Sequence, residues 1–368
     1  MNDTKSAAPA VGKHPDLVVR EVSPLNAGPT LDALVAHETT PNEWFFVRNH
    51  GDIPEVDAAS FRFSIGGLVA KPMDLSLGDL ARLPRRSVFA TLECAGNRRD
   101  ELSTVTPIPG ELPWGAEAIS SASWEGVALA DVLALAGPRP EARHVEFVGL
   151  DQTERLGRRF GFGGSIPLAK ALAAEVLLAD RMNGEPLPPT HGFPLRVVVP
   201  GYLGARSVKW LSRIELLAEP SKNYFQDHAY RLFPPWMNAS NVDWHAGMML
   251  GDLPVTSVIA APEAGAELPA GSTPVSGYAF VGGGRGIARV DLSIDGGTTW
   301  RPTELGPETG PWGWRLFSAN VELQAGEHEL IVRAWDGSAQ TQPAAIADVW
   351  NFKGYANNAW HRVRVRVV

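Results

Sequence analysis

A single cysteine stands among 368 residues. One thiol excludes internal disulfides, paired redox thiols, cysteine-rich zinc sites and the CxxCH haem attachment. No run approaches the roughly 18 apolar residues that a membrane-crossing helix needs. The opening stretch, MNDTKSAAPAVGKHP, is polar and lacks the apolar core of a signal peptide. The sequence therefore reads as cytoplasmic, with a periplasmic location open if a leader has been removed. Positive charge is not in excess either. The chain has 33 Lys and Arg against 41 Asp and Glu, a net charge of −8. Neither nucleic acid nor an acidic membrane is expected as a partner. Several motifs are missing: HExxH, GxSxG, a Walker loop, and a GxGxxG set between strand and helix.

What is present is a hydrophobic content of 44%, enough for a substantial core, and a length that suits two domains. Glycine (37) and proline (30) are both frequent, which favours turns over long helices. Residues 1–40 are punctuated by proline and read as an extended N-terminal segment. To about residue 250, strand patterns (SVFATLE, HVEFVGL, LRVVVPG) alternate irregularly with helical ones (LSLGDLARL, ALADVLALAG, IPLAKALAAEVLLAD). The expected fold class is α+β, with residues 1–250 as a catalytic domain. Residues 251–368 change character. VTSVIA, TPVSGYAFV, IARVDLSID, TWRPTEL, WGWRLFSANVEL, HELIVRAWD and WHRVRVRVV are short strand patterns separated by turn signals such as Asp336-Gly337. About seven strands of this kind predict an immunoglobulin-like β-sandwich.

Four segments could carry chemistry. In FATLECAGNRRDEL, Cys94 closes a strand and precedes Gly96, Asn97, Arg98 and Arg99. Two cations beside a thiol favour the thiolate, which is either a nucleophile or a soft metal ligand. The alternative is an inert core cysteine. In HGFPLRVVVPGYLGARSVKWL, His191, Arg196, Arg206 and Lys209 surround an apolar strand rich in small residues, which suits a phosphate-bearing ligand. The bland alternative is a strand with solvated basic flanks. In EWFFVRNHG, Arg48 and His50 are two apart and so share one face of an extended chain, beside Trp44, Phe45 and Phe46. In NYFQDHAYRLFPPW, Tyr230 could donate to an oxo group, with Asp227 and His228 as alternatives, or the segment could simply pack between domains.

Taken together, FFVRNHG, TLECAGNRR, LPWG, MNGEPLPPTHGFPLRVVVPGYLGARSVKWL, GYAFVGGGRGIARVDLSIDGGTTW and NAWHRVRVRV resemble the sulfite oxidase family of molybdenum enzymes. The likeness runs in order over nearly the whole chain. It implies a molybdopterin-binding domain followed by an immunoglobulin-like dimerisation domain, and hence a homodimer. It also implies that Cys94 ligates molybdenum. Arg48, His50, Asp151, His191, Arg196, Ser207, Val208 and Lys209 fall on positions that hold the pterin cofactor. Arg48, Arg99, Trp114, Tyr230 and Arg362 fall on positions lining the substrate oxyanion pocket, with Arg285 near it from the second domain. The implied reaction is oxygen-atom transfer to sulfite, with electrons passed to an external acceptor such as cytochrome c or oxygen. Two positions depart from the pattern: Ala229 stands where aspartate is common, and Pro109 where lysine is common. A nitrate reductase, a sulfane dehydrogenase subunit and a non-catalytic anion-binding protein are the alternatives.

Overall fold

The computed structural model describes residues 12–244 and 246–368. Its first half contains two five-stranded sheets. In one sheet, Arg85–Glu93, Ile119–Ala128, Leu177–Met182 and Glu185–Pro186 lie side by side, and Arg196–Val198 pairs with Leu177–Met182. The other runs Met73–Ser76, Arg62–Gly67, Leu211–Leu217, His144–Arg155, Arg158–Pro167. The pairing of Leu211–Leu217 with Arg62–Gly67 is parallel, and its pairing with His144–Arg155 antiparallel.

Most of the expected elements form where their patterns lie. ALADVLALAG gives the helix Leu129–Ala136, which buries Leu129, Val132, Leu133 and Ala136 and stops at Gly137 with φ 68°. A side chain there would strain the left-handed turn, so glycine ends the helix. LSLGDLARL forms only the turn Leu77–Leu80, closed by a reciprocal capping box between Ser76 and Asp79. IPLAKALAAEVLLAD departs from expectation. Its helix is confined to Leu168–Ala171, and Leu177–Met182 is a strand. That strand sits between two partners, with Leu177, Leu178 and Ala179 fully buried. Pairing and two-sided burial override the helical preference of leucine and alanine. The N-terminal segment is not merely extended either: Val18–Glu21 pairs with Asn26–Gly28, and Leu31–Val35 is a short helix. Residues 1–11, also part of that expectation, lie outside the described residues.

The second half forms a four-stranded and a five-stranded sheet. All seven expected strand segments take part. TWRPTEL divides itself between the sheets: Arg301–Pro302 pairs with Ile287–Ser293, and Glu304–Leu305 pairs with Arg315–Leu323. Val275, Val290, Leu292, Phe317, Leu330, Val332, Val363 and Val365 fill the space between the sheets.

The two halves share core. Tyr278, Phe280, Trp314 and Tyr355 pack into the same cluster as Leu129, Val197 and Tyr230. Thr91 N–H donates to the Trp312 carbonyl at 3.0 Å, and Trp314 N–H donates back to Thr91 Oγ1 at 2.9 Å. The glycine loop at 282–284 also docks here. A Cβ on Gly282 would lie 2.2 Å from the Gly201 carbonyl oxygen. Backbone is in contact with backbone, so no side chain can yield. Gly282→Ala is therefore expected to destabilise the chain by about 1–3 kcal/mol. Equilibrium denaturation followed by tryptophan fluorescence measures this, and an unchanged midpoint contradicts the close approach.

Candidate active site

Strand Arg85–Glu93 buries its last residues and delivers Cys94 at its end, 7% exposed. Cys94 N–H donates to the Ala118 carbonyl at 2.9 Å, and Gly96 N–H donates to Cys94 Sγ at 3.4 Å. The chain then turns sharply. Arg98 adopts φ 61°, held by its N–H on the Gly115 carbonyl at 2.7 Å and by Asn357 Nδ2 donating to its own carbonyl at 3.0 Å. Asn97 Nδ2 donates to Glu93 Oε1 at 2.9 Å and to Tyr278 Oη at 3.1 Å, while Asn97 Oδ1 accepts from Ala118 N–H. Arg98 is fully buried and spends its guanidinium on Glu101, at 2.7 and 2.8 Å. It holds the turn rather than facing a ligand.

Cys94 opens onto an inner cavity. Arg48, His50, Asp151, His191, Arg196, Ser207 and Lys209 all line it, together with Tyr230. These residues come from segments far apart in sequence. Val208 lies directly behind, buried, its carbonyl accepting from Val197 N–H at 2.8 Å. A second cavity shares Arg48, Asn49, His50 and Tyr230 with the first, and adds Glu111, Arg155, Lys353 and Tyr355. The two form an inner chamber and an outer mouth.

The chamber is rich in buried cations. Arg196 spends Nη1 and Nη2 on the carbonyls of His191 and Ser207, at 3.0 and 2.9 Å, and lies over the Trp124 ring. Burial pulls its pKa down to about 9. Lys209 donates to Asn49 Oδ1 and to the Thr190 carbonyl, and burial holds its pKa well below the usual lysine value. Among the described residues neither cation makes an ion pair within 4.0 Å. His50 and His191 are kept neutral by burial and by the surrounding cations. Asp151 is the acid of the chamber. Burial pushes its pKa up to about 6, and its buried Oδ1 has no hydrogen-bond partner. Thr190 Oγ1 is likewise buried and unpartnered. Unmet polar atoms and uncompensated cations around an enclosed space fit an anionic, hydrogen-bonding ligand. Among the described residues no three His, Cys, Asp or Glu side chains converge. A metal at Cys94 would have to arrive with most of its ligands, as a pterin-bound metal does.

The sequence-based assignments for the outer pocket fare unevenly. Tyr230 follows the π-helical turn Phe225–Ala229, is buried, and lies 2.8 Å from His50 Nε2. Burial raises its pKa above the ordinary tyrosine value, so it stays protonated. Ala229 and Pro109 line the mouth. Arg99 and Trp114 lie behind the cavity walls. Trp114 is fully buried beside Cys94 and Phe45, its Nε1 unpartnered. Arg99 donates to the carbonyls of Leu112, Lys353 and Gly354 and lies 5.2 Å from the centre of the Tyr355 ring. Two assignments are corrected. Arg362 sits on strand His361–Val367, where Val363, Val365 and Val367 face the core, so the arginines face outward. It pairs with Glu329 at 2.9 Å and does not reach the mouth. Arg285 binds Asp336 at 2.5 Å and lines a separate surface cavity with Leu232 and Trp350.

Several residues escaped the sequence reading, Arg155 and Glu111 of the mouth among them. Asn49 receives Lys209 in the chamber. Lys353 supplies the mouth with a cation from the second half of the chain. Lys13 is 7% exposed and donates to the carbonyls of Asn42 and Phe45 at 2.6 Å. Its Nζ lies 3.1 Å from His191 Nε2, and burial lowers its pKa to about 7. A lone lysine 178 residues from its partner leaves no local signal.

Residues 50–225 match the oxidoreductase molybdopterin binding domain, and residues 248–368 match the Mo-co oxidoreductase dimerisation domain. The sulfite oxidase of Arabidopsis thaliana is 42% identical over 375 residues, 96% of this chain and 95% of that protein. The chain belongs to the sulfite oxidase family. The mitochondrial sulfite oxidase of Mus musculus is 44% identical over 367 residues, 97% of this chain, and the chain spans 66% of that relative's length. Among solved structures, the sulfane dehydrogenase SoxCD of Paracoccus pantotrophus matches with a TM-score of 0.81 at 28% identity, over 94% of this chain and 85% of that one. The enzyme is thus a molybdopterin-dependent oxidoreductase whose second half carries the family's dimerisation domain.

Two expectations follow from the electrostatics. Burial pushes Glu93, beside Cys94, up to about 7 from 4.5. The folded chain binds this proton more tightly than the unfolded chain, so stability is lost as pH rises from about 4.5 to about 7. Glu93→Gln should therefore gain on the wild type over that window, by at most about 3 kcal/mol, in denaturation curves at pH 5 and pH 8. Cofactor-free protein should melt higher in millimolar pyrophosphate, because an anion that binds the folded chamber stabilises it. Lys209→Met should remove that gain in a thermal-shift titration.

Proposed function

We propose that this chain oxidises sulfite to sulfate by oxygen-atom transfer, works as a homodimer, and passes electrons to an external acceptor such as cytochrome c or oxygen. The observation that carries the reading is a single thiol at the back of a cation-walled chamber, reached through a mouth that Arg48, Arg155 and Lys353 make electropositive. Cys94 would ligate molybdenum. His50, Asp151, His191, Arg196, Ser207, Lys209 and the backbone at Val208 would hold the pterin and its phosphate, with Arg48 facing both cofactor and substrate. When bound, the molybdenum cofactor supplies the two-electron oxygen-transfer chemistry.

The protein's part is electrostatic and geometric. Sulfite and sulfate carry up to two negative charges, and forked cations in a partly dry pocket bind them far better than water-exposed ones. Arg48 lies on the wall between chamber and mouth. Tyr230 keeps its proton and shares a hydrogen bond with neutral His50, so it offers an oxyanion a polar contact without adding charge. Arg99 and Lys353 approach from behind and from the opposite half of the chain. The SoxCD likeness favours a second reading, a sulfane dehydrogenase subunit.

Metal analysis of the purified protein should find about one molybdenum per chain, bound through the single cysteine. Cys94→Ser should lose turnover. Assays with sulfite, thiosulfate and nitrate against ferricyanide, cytochrome c and oxygen should show sulfite as the preferred reductant. A folded wild type that takes up no molybdenum, or a fully active serine variant, would sink the reading.

A further inference from the structure

We infer that Glu111 sets the anion affinity of the mouth, by acting as an internal counter-anion that the substrate must displace. Glu111 stands in the loop between helix Arg99–Val105 and strand Ile119–Ala128, on the mouth wall beside Tyr230 and Tyr355. Its Oε1 meets Lys353 Nζ, and its Oε2 lies 3.9 Å from Arg99 Nη2. The other nitrogens of Arg99 are already taken: Nη1 by the Leu112 carbonyl at 2.7 Å, Nε by the carbonyls of Lys353 and Gly354 at 3.2 Å. An arriving anion therefore finds both cations holding a carboxylate. Arg48 and Arg155, on the same mouth, make no ion pair within 4.0 Å among the described residues.

The arrangement discriminates by charge and by number of oxygens. A monoanion that displaces Glu111 exchanges one unit charge for another and gains little. A dianion with several oxygens can contact Lys353 and Arg48 on the mouth wall, with Arg99 behind them, and its attraction to these cations scales with its charge. The mouth thus rejects chloride, nitrate and carboxylates more than it rejects sulfite or sulfate. The loop beside the carboxylate is not packed in. Gly110, next to Glu111, has φ +80°, and a Cβ placed on it would meet nothing within 4 Å. This places a joint with open space beside the displaced group.

The inference rests on the proposed reaction only for the identity of the oxyanion, and the test separates the two. Holoenzyme and its Glu111→Gln variant are titrated calorimetrically with sulfate and with chloride. The variant is expected to bind sulfate about tenfold more tightly, since a charge a few ångströms from the site no longer opposes it. Chloride, with a single charge, should gain by a smaller factor. In turnover, the variant's KM for sulfite should fall while kcat changes by less than about threefold, the pattern of altered binding rather than altered chemistry. A folded variant that binds sulfate no more tightly than the wild type overturns the inference. If Glu111→Gln does not fold, Lys353→Gln serves instead. It leaves the carboxylate in place without its partner and should weaken sulfate binding about tenfold, and an unchanged affinity again overturns the inference. A wild type that binds sulfate but does not oxidise sulfite would refute the proposed reaction while leaving the titration decisive for Glu111.

Discussion

Buried positive charge that a single acid, Asp151, only partly matches is the constraint on which this structure turns. Arg196, Lys209 and Arg206 are all taken out of water, and burial lowers the pKa of each. Isolated buried cations are costly unless something nearby compensates them. The chain answers partly with carbonyls: those of His191 and Ser207 for Arg196, that of Thr190 for Lys209, that of Leu250 for Arg206. It answers further by holding its histidines neutral. Neither measure supplies negative charge, and Asp151 supplies one carboxyl against several cations. The chamber is built for a permanent anionic resident, and the geometry of the surrounding strands and turns makes sense once that resident is counted as part of the core.

The sequence was most legible where chemistry or periodicity is local. Cys94 stood out as the lone thiol between a strand and a glycine turn, and helix Leu129–Ala136 announced both its face and its stop. Legibility failed where long-range pairing decided the outcome. Leu177–Met182 has helical composition, yet two neighbouring strands claim it. Arg362 is instructive because the information was present: the alternation of HRVRVRV puts its arginines on the face opposite the valines, away from the interior. Family likeness pointed inward, and strand geometry pointed outward. Lys353 had no such pattern, because its place in the mouth depends on how the two halves of the chain meet. Lys13 is the extreme case, set against His191 by the path of the N-terminal segment alone.

The two halves do not merely abut. Tyr278, from the second, donates to the Ala116 carbonyl at 2.8 Å and accepts from Asn97, three residues past the cysteine. Thr256 reaches Arg98, Asn357 caps the turn carbonyl, and Tyr355 stacks on Tyr230 with ring centres 5.3 Å apart. The second half thus furnishes part of the scaffold on which the thiol is aimed.

This has a consequence for recombination, whether in evolution or in the laboratory. The junction near residue 250 looks like a natural crossover point, but Asn97 with Tyr278 and Arg98 with Thr256 straddle it. A chimera spliced there inherits a working cysteine turn only when both parents agree at these pairs. The cysteine turn is therefore a joint product of both halves, and splicing one without the other puts these four positions at stake.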